Sequence, residues 1–235
     1  MTAVFWKEVK SYFYSPMAYI LIGLFILLTS VFFYIGNLMY QNGDFTGTLS
    51  TMGFLILFIM PVLTMRILAE DRKNGTEVLL ITSPVNISSI VLGKFLASYF
   101  VFLVMTIISF LYPLVLLVFG GQITIQLVGG YIGFLLLGAA FVAVGIFASS
   151  LTESQVVAVV ISFVTLLIMW LADSLSGAVG GFASKALGWI SLLTRYSDFS
   201  RGVLGLSPVI YYLSFVAVFL FLTIRVIEKR RWSQG

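Results

Sequence analysis

Charged side chains are scarce in this sequence, and about a third of them lie in one short stretch. Arg66 to Lys94 holds seven of the 22 charged residues in 29 positions. Ion-pairing groups at this density suit contact with a partner protein. They do not suit catalysis, because the absence of histidine and cysteine excludes His-dependent triads, disulfides and thiolate or imidazole metal sites. No G-x-x-x-x-G-K-[ST] P-loop occurs either, so we expect no cofactor in this chain.

The order of residue types along this stretch predicts a short helix that projects from the membrane. Residues 70–73 continue a preceding helix, and Asn74-Gly75 forms a turn in which Gly75 takes positive φ. Thr76 is the predicted N-cap, and the helix ends before Ser83-Pro84. Its charged face carries Glu77, and its apolar face carries Val78, Leu79 and Leu80. The alternative is a solvated loop whose charges only set the topology.

The rest of the chain is too apolar for a soluble protein. Apolar residues make up 60%, charged residues 9%, and the mean hydropathy is +1.12, against about 25% charged residues in soluble domains. Five uncharged runs are long enough for bilayer crossings of about 20 residues each, and the longest holds two, divided at Gly120-Gly121. We therefore predict an all-α integral membrane protein with six spans, over about 17–39, 48–67, 94–118, 127–150, 154–173 and 208–228.

The basic residues predict the orientation of these spans, since lysine and arginine near span ends stay in the cytoplasm. Ten lie on the side of the termini and three, Lys185, Arg195 and Arg201, on the other. We expect a multi-pass protein of the cell (plasma) membrane with both termini in the cytoplasm. The net charge of +4 follows from this bias, so no nucleic-acid partner is expected.

The N-terminal residues 1–15 predict an amphipathic helix in the membrane interface, broken at Ser15-Pro16 before the first span. A flexible tail is the alternative. Residues 16–235 then form the six-helix domain, with a cytoplasmic loop over 68–93. Gly129 and Gly133 in the fourth span have G-x-x-x-G spacing, which permits close packing within one subunit or between two.

Two further segments carry candidate site residues. The turn before the fifth span has Thr152 and Gln155 at capping-box spacing, with Glu153 placed where a helix N-terminus favours a negative charge. The segment 173–207 is too short for two more crossings, so it predicts short outer-side half-helices between helices 5 and 6. Asp198 and Arg201 are three residues apart on such a helix, as a structural pair or as a substrate contact.

No Asp, Glu, Lys or Arg lies in the interior of the predicted spans. Proton relays and ion pathways use such buried charges, so ion-coupled transport is not expected. If the protein moves a substrate, the energy comes from another subunit.

These motifs together resemble the ABC-2 type transporter permeases. The resemblance rests on Glu70 with Gly75-Thr76-Glu77-Val-Leu-Leu80, Ser83-Pro84-Val85 and Gly93-Lys94, and extends to Lys7 to Tyr19, Leu151 to Gln155 and Asp198 to Val203. The chain is most similar to the branch of gliding-motility-associated and nitrous-oxide-reductase-accessory permeases, which are short and have no large extracellular domain.

The resemblance implies a transmembrane permease subunit without catalytic activity. It implies a homodimer or related heterodimer of six-helix subunits, membrane lipids around it, and a separate ABC ATPase that binds ATP-Mg and engages a coupling helix. The implied coupling residues are Glu70, Arg72, Gly75, Thr76, Glu77, Leu79, Leu80, Pro84 and Glu153. Export of lipids, polysaccharides, peptides or drugs is the implied activity. A membrane anchor or mechanotransmission subunit, which couples ATP hydrolysis to remodelling of an envelope partner without moving a substrate, is the alternative.

Overall fold

The computed structural model describes residues 1–76, 85–122, 124–178, 191–203 and 205–233, without the side chains of 173–178 and 231–233. Within these residues the chain is helical and contains no strand. The helices are α1 (Thr2–Tyr14), α2 (Pro16–Phe33) continued by a π-helix (Tyr34–Met39), α3 (Thr46–Thr64), α4 (Arg66–Lys73), α5 (Ile87–Ser109), α6 (Leu111–Val118), α7 (Ile125–Leu151), α8 (Gln155–Ala178), α9 (Leu192–Ser200) and α10 (Leu206–Ser233).

Six of these segments are long and apolar enough to cross a bilayer, which confirms the all-α fold class with six membrane-spanning helices. We number them as spans: α2 with the π-helix is span 1, α3 with α4 is span 2, α5 with α6 is span 3, and α7, α8 and α10 are spans 4, 5 and 6. The N-terminus, α1, α4, the turn 152–154 and the last residues of α10 lie at one end of the bundle, called the terminal end. The loops 40–45 and 119–122 and helix α9 lie at the opposite end.

Spans 2 and 4 form the centre of the bundle. In each of them 72% of the most apolar window is buried, against 22% in spans 5 and 6. Glycines on span 4 allow this close packing. A Cβ at Gly130 would lie 2.6 Å from Leu49, and one at Gly138 would lie 2.1 Å from Phe102. Small residues are the usual means of bringing helices together in lipid.

The contacts of the G-x-x-x-G pair distinguish its two predicted roles, which are packing within one subunit and packing between two subunits. A Cβ at Gly133, the second glycine of the G-x-x-x-G pair, would lie 2.8 Å from Phe199 of α9 in the same chain. Gly129 is buried beside it on the helix. This stripe therefore serves packing within the subunit.

Local sequence explains where the helices begin and end. The Ser15 side chain accepts a hydrogen bond from Met17 N at 3.3 Å and Pro16 occupies the first turn of α2, as the break at this dipeptide predicts. At the opposite end, the Asp44 carboxylate accepts from both the main-chain N–H and the hydroxyl of Thr46. Gly120 has φ +90° in the predicted break between spans 3 and 4.

Helix α9 is a short helix between spans 5 and 6, of the kind the sequence predicts there. It ends in a Schellman motif, with Gly202 at φ +81°, Val203 N donating to Asp198 O, and Gly202 N donating to Phe199 O. The predicted pairing of Asp198 with Arg201 is absent, since no ion pair joins them. The helix ends at Ser200, which places Arg201 in the turn, with its side chain exposed. Residues 179–190, where the other part of the predicted half-helices would lie, are outside the described residues.

Candidate functional site

Lys94 is the most deeply buried charged residue of the terminal end, with 1% of its side chain exposed. The helix that carries it begins at Ile87 rather than at the predicted position 94, so Lys94 lies two turns inside α5. Its ammonium group lies 2.8 Å from Glu8 Oε1, 2.6 Å from Asp71 Oδ2 and 2.8 Å from the carbonyl oxygen of Ile67. Two carboxylates and one carbonyl oxygen thus compensate a charge that is costly to bury unpaired; Glu8 and Ile67 accept hydrogen bonds, and Asp71 forms an ion pair.

The three charged residues come from three separate segments: Glu8 from α1, Asp71 from α4 and Lys94 from α5. Asp71 is further bound by Thr76, whose hydroxyl lies 3.0 Å from Asp71 Oδ1 and 3.1 Å from its carbonyl oxygen. We call Glu8, Asp71, Thr76 and Lys94 the lysine cluster. It fixes both flanks of the loop between α4 and α5 and attaches α1 to them.

Helix α1 is held against the bundle by its apolar face and by one buried hydroxyl. Tyr12 is fully enclosed and donates a hydrogen bond of 2.7 Å to the carbonyl oxygen of Leu63. Burial raises the pKa of Tyr12 far above its usual range, so the phenol remains a neutral donor. Trp6 and Tyr14 stay 57% and 86% exposed on the other face. The amphipathic pattern of residues 1–15 therefore has one face for the protein and one for its surroundings.

Span 2 is interrupted at Met65, and a side chain from span 4 fills the gap. Ser149 Oγ accepts hydrogen bonds from Leu68 N at 3.1 Å and Ala69 N at 3.0 Å. The same hydroxyl donates to the carbonyl oxygen of Met65 at 2.8 Å. Such an insertion into the helical hydrogen-bond ladder is a recognised cause of a break. The serine joins α4 to span 4.

Two further ion pairs surround the cluster. Arg72 lies 2.8 Å from Glu153, which connects α4 with the turn before span 5. Arg66 lies 3.2 Å from Glu70 and also donates to Ser11 of α1 at 3.0 Å. A cavity of about 200 Å³ opens between α1 and α4, lined by Lys7, Glu8, Arg66, Glu70 and Asp71 among others.

The structure thus brings together several of the predicted coupling residues. Glu70, Arg72, Thr76 and Glu153 all lie at the terminal end, and Gly75 has the expected positive φ, +70°. Glu77, Leu79, Leu80 and Pro84 lie outside the described residues. Thr76 uses its hydroxyl to bind Asp71, in addition to any capping role.

The prediction of a capping box with Thr152 as the N-cap residue is wrong. Helix α8 begins at Gln155, and Thr152 Oγ1 accepts from Ser154 N, two residues on. Ser154 is the residue at the N-cap position, with its hydroxyl 3.5 Å from Val157 N. Glu153 reaches Arg72 instead of capping the helix.

The site prediction missed Lys94 and its partners Glu8 and Asp71, and it also missed Ser149. Asp71 and Lys94 stand out as charges next to long apolar runs, and this was the available signal. Ser149 carries no local signal, because its function depends on a helix break 84 positions away.

The arrangement consists of ion pairs and hydrogen bonds, among them the one between the Thr76 hydroxyl and Asp71 Oδ1 at 3.0 Å. Among the described residues, no group of three or more acidic side chains could hold a metal ion. The ion pairs of the terminal end fix separate segments to one another, and its exposed charged side chains can bind a charged surface.

A comparison with protein-family models finds one match, to the family described as ABC-2 family transporter protein, over residues 37–228. The matched range includes all of spans 2 to 5 and most of span 6. A search of curated proteins finds no match.

Proposed function

Because this chain belongs to the ABC-2 transporter family, we propose that it is the permease of an exporter driven by a separate ATP-hydrolysing subunit. The permease component follows from the family. The direction of transport and the docking of an ATPase at the terminal end are our proposals. The terminal end then faces the cytoplasm, in agreement with the ten basic residues on that side of the sequence.

The observation that carries the proposal is the position of the lysine cluster. An ATPase that pushes on the loop between α4 and α5 needs that loop mounted on rigid helices, since a freely moving loop would absorb the displacement. Asp71 lies before the loop and Lys94 lies after it, and the distance from Lys94 Nζ to Asp71 Oδ2 is 2.6 Å. Thr76 and Glu8 connect the loop and α1 to the same point.

Within this proposal, Thr76 to Ile81 is the coupling helix and Glu77 meets a basic group on the ATPase. Glu77 would lie in the first helical turn, where the helix dipole also favours a carboxylate. Gly75 sets the entry of the chain into that helix. The proposed docking surface also includes Arg72 and Glu153, which form an ion pair of 2.8 Å, and Glu70, Leu79, Leu80 and Pro84.

We further propose that two permease chains form the working complex, identical or related, because one six-helix bundle is small for a translocation path. ATP-Mg binds to the partner ATPase. The gliding-motility-associated and nitrous-oxide-reductase-accessory branch remains our proposed placement within the family.

The docking proposal is tested by co-purification with the partner ATPase, which we expect to be encoded by a neighbouring gene. Glu77→Lys should abolish co-purification and stimulated ATP hydrolysis, because like-charge contacts at an interface cost up to several kcal/mol. Glu77→Gln should lose less. Glu228→Lys is the matched control: it reverses an exposed carboxylate at the same end, on span 6, and should leave association intact. Unchanged association in Glu77→Lys would move the docking surface to Glu153 or to α1.

Export is tested separately, in proteoliposomes that contain the permease and its ATPase. ATP-dependent transfer of a candidate lipid or peptide supports the exporter. Full ATP hydrolysis, coupled to a structural change in an envelope partner and without transfer, would favour the mechanotransmission subunit instead.

A further inference from the structure

Arg195 is a basic residue of the opposite end that has no acidic partner. All six ion pairs of the described residues lie at the terminal end. Asp198, one helical turn further along α9, forms no ion pair with Arg195. The Arg195 side chain is half-buried, and its Nε is enclosed without a hydrogen-bond acceptor. Because a charged side chain inside a membrane bundle is normally paired, we expect Arg195 to bind an anion.

The helix that carries Arg195 is firmly attached to the bundle. Tyr196 donates a hydrogen bond of 3.1 Å to the carbonyl oxygen of Leu49, and Tyr212 donates one of 2.7 Å to that of Leu192. Leu192, Tyr196 and Phe199 are buried. Arg195 is therefore held in place by its neighbours along the helix, and its position does not depend on a partner of its own.

Tyr211 of span 6 supports the guanidinium group from one side. The Arg195 Cζ atom lies 5.6 Å from the centre of the Tyr211 ring, within the range of a cation–π contact. The Tyr211 hydroxyl is also enclosed without a partner. Two hydrogen-bonding groups without partners and one uncompensated positive charge thus meet in one corner. The ring lies beside the guanidinium, which also carries two terminal Nη groups that can donate hydrogen bonds to an anion.

This corner lies near the end of the bundle. Tyr211 lies five residues inside span 6 and Leu49 three residues inside span 2, or about 5–8 Å from the span ends at about 1.5 Å per residue. Because the polar layer on each side of the hydrocarbon core is about 5–8 Å thick, spans that reach its outer edge place the corner close to the boundary between that layer and the core. The long Arg195 side chain can then meet a lipid phosphate, and a planar guanidinium binds phosphate oxygens in a bidentate manner.

We propose that Arg195, supported by Tyr211, binds the phosphate of an anionic lipid headgroup at the end of the bundle opposite the termini. This site does not depend on the ATPase or on the direction of transport. A free phosphate ion would offer the same oxygens, so the experiment must distinguish the two sources.

The test uses native mass spectrometry of the purified full chain, titrated with dioleoylphosphatidylglycerol. Arg195→Gln should weaken the tightest binding step about tenfold, the value of one charged hydrogen-bonded contact. Arg201→Gln is the matched control, since it removes an exposed arginine of the same segment and should change nothing. Arg195→Lys keeps the charge and should retain part of the affinity, which guards against loss of binding through misfolding.

A second series repeats the titration in millimolar inorganic phosphate. Undiminished lipid binding supports the lipid headgroup as the ligand. Displacement of the lipid by phosphate would overturn the lipid assignment in favour of a soluble anion. Equal lipid affinity in the wild type and Arg195→Gln, with Arg195→Gln folded by size-exclusion chromatography, would overturn the site altogether.

Discussion

Gly145 of span 4 and Thr64 of span 2 are in such close contact that no larger residue fits at position 145. A Cβ there would lie 2.0 Å from Thr64 Oγ1 and 2.8 Å from Thr64 Cβ. The Thr64 side chain cannot easily move away, because it is fully buried and its hydroxyl donates to Met60 O at 2.9 Å. At this level the backbone of span 4 therefore contacts a side chain of span 2 directly.

Gly145→Ala should destabilise the protein by about 1–3 kcal/mol, the usual cost of overpacking a core. The measurement is thermal unfolding of the detergent-solubilised chain. Gly23→Ala is the matched control, because a Cβ at Gly23 of span 1 meets nothing within 4 Å. Its melting temperature should be unchanged or slightly raised. Equal melting temperatures for the two variants would show that the contact is loose.

Lys94→Met should destabilise the terminal end by about 3–5 kcal/mol, because the largely buried Glu8 and Asp71 would lose the buried cation that they share. The triple variant with Glu8→Gln and Asp71→Asn should be more stable than Lys94→Met alone, since no uncompensated charge remains. Thermal unfolding and protease sensitivity of α1 measure both effects.

Lys7→Met provides the control for this prediction, as Lys7 also contacts Glu8, at 3.4 Å, but is 60% exposed. An exposed pair contributes only about 0–1 kcal/mol. A loss as large as that of Lys94→Met would mean that the charge of the region matters and the buried position of Lys94 does not.

Ser149→Ala should cost about 1–3 kcal/mol, because it leaves the N–H groups of Leu68 and Ala69 without their acceptor inside the protein. Hydrogen exchange at these two amides should rise, together with a lower melting temperature. Ser50→Ala removes an exposed serine hydroxyl that donates to Thr46 O in the same helix, and it should have almost no effect. Unchanged exchange in Ser149→Ala would contradict the bridging role of the serine.

Gly75→Val should leave the bundle folded and yet impair association with the ATPase. A Cβ at Gly75 meets nothing within 4 Å, so the only penalty is the backbone conformation at φ +70°, about 1–3 kcal/mol for a strained residue. Gly75→Asn should be milder, because asparagine tolerates this region.

Gly47→Val serves as the comparison for Gly75, since Gly47 also has open space around it but lies in a helix at the opposite end. The amount of ATPase that co-purifies should fall from the wild type to Gly75→Asn and further to Gly75→Val. The Gly47→Val variant should retain the wild-type amount. Equal association of all variants would mean that the turn does not set the docking geometry.

The spans could be found from sequence because the length of an apolar run is a local property. The break at Ser15-Pro16, the positive φ of Gly75 and the end of span 3 before Gly120 also follow from local backbone preferences. The beginning of span 3 does not. Lys94 interrupts the apolar run and suggests a span end, whereas the helix starts at Ile87 and buries the lysine.

The partners of Lys94 and the central place of spans 2 and 4 could not be predicted. Glu8 is 86 positions from Lys94, and nothing in either sequence neighbourhood encodes that distance. Residues that face protein and residues that face lipid are equally apolar, so hydropathy does not separate an inner span from an outer one. Only the glycines of span 4 carried a signal for close packing, and their spacing did not reveal which helices they meet.

Span 4 has the geometry of a lever arm. It is one continuous helix, bound to α4 through Ser149 near one end and packed on Phe199 of α9 through Gly133. The two points are about 24 Å apart at about 1.5 Å per residue, so a tilt of about 5° around Ser149 displaces Gly133 by about 2 Å. A rigid tilt of span 4 about Ser149 would therefore move α9, and Arg195 with it, sideways without bending span 4.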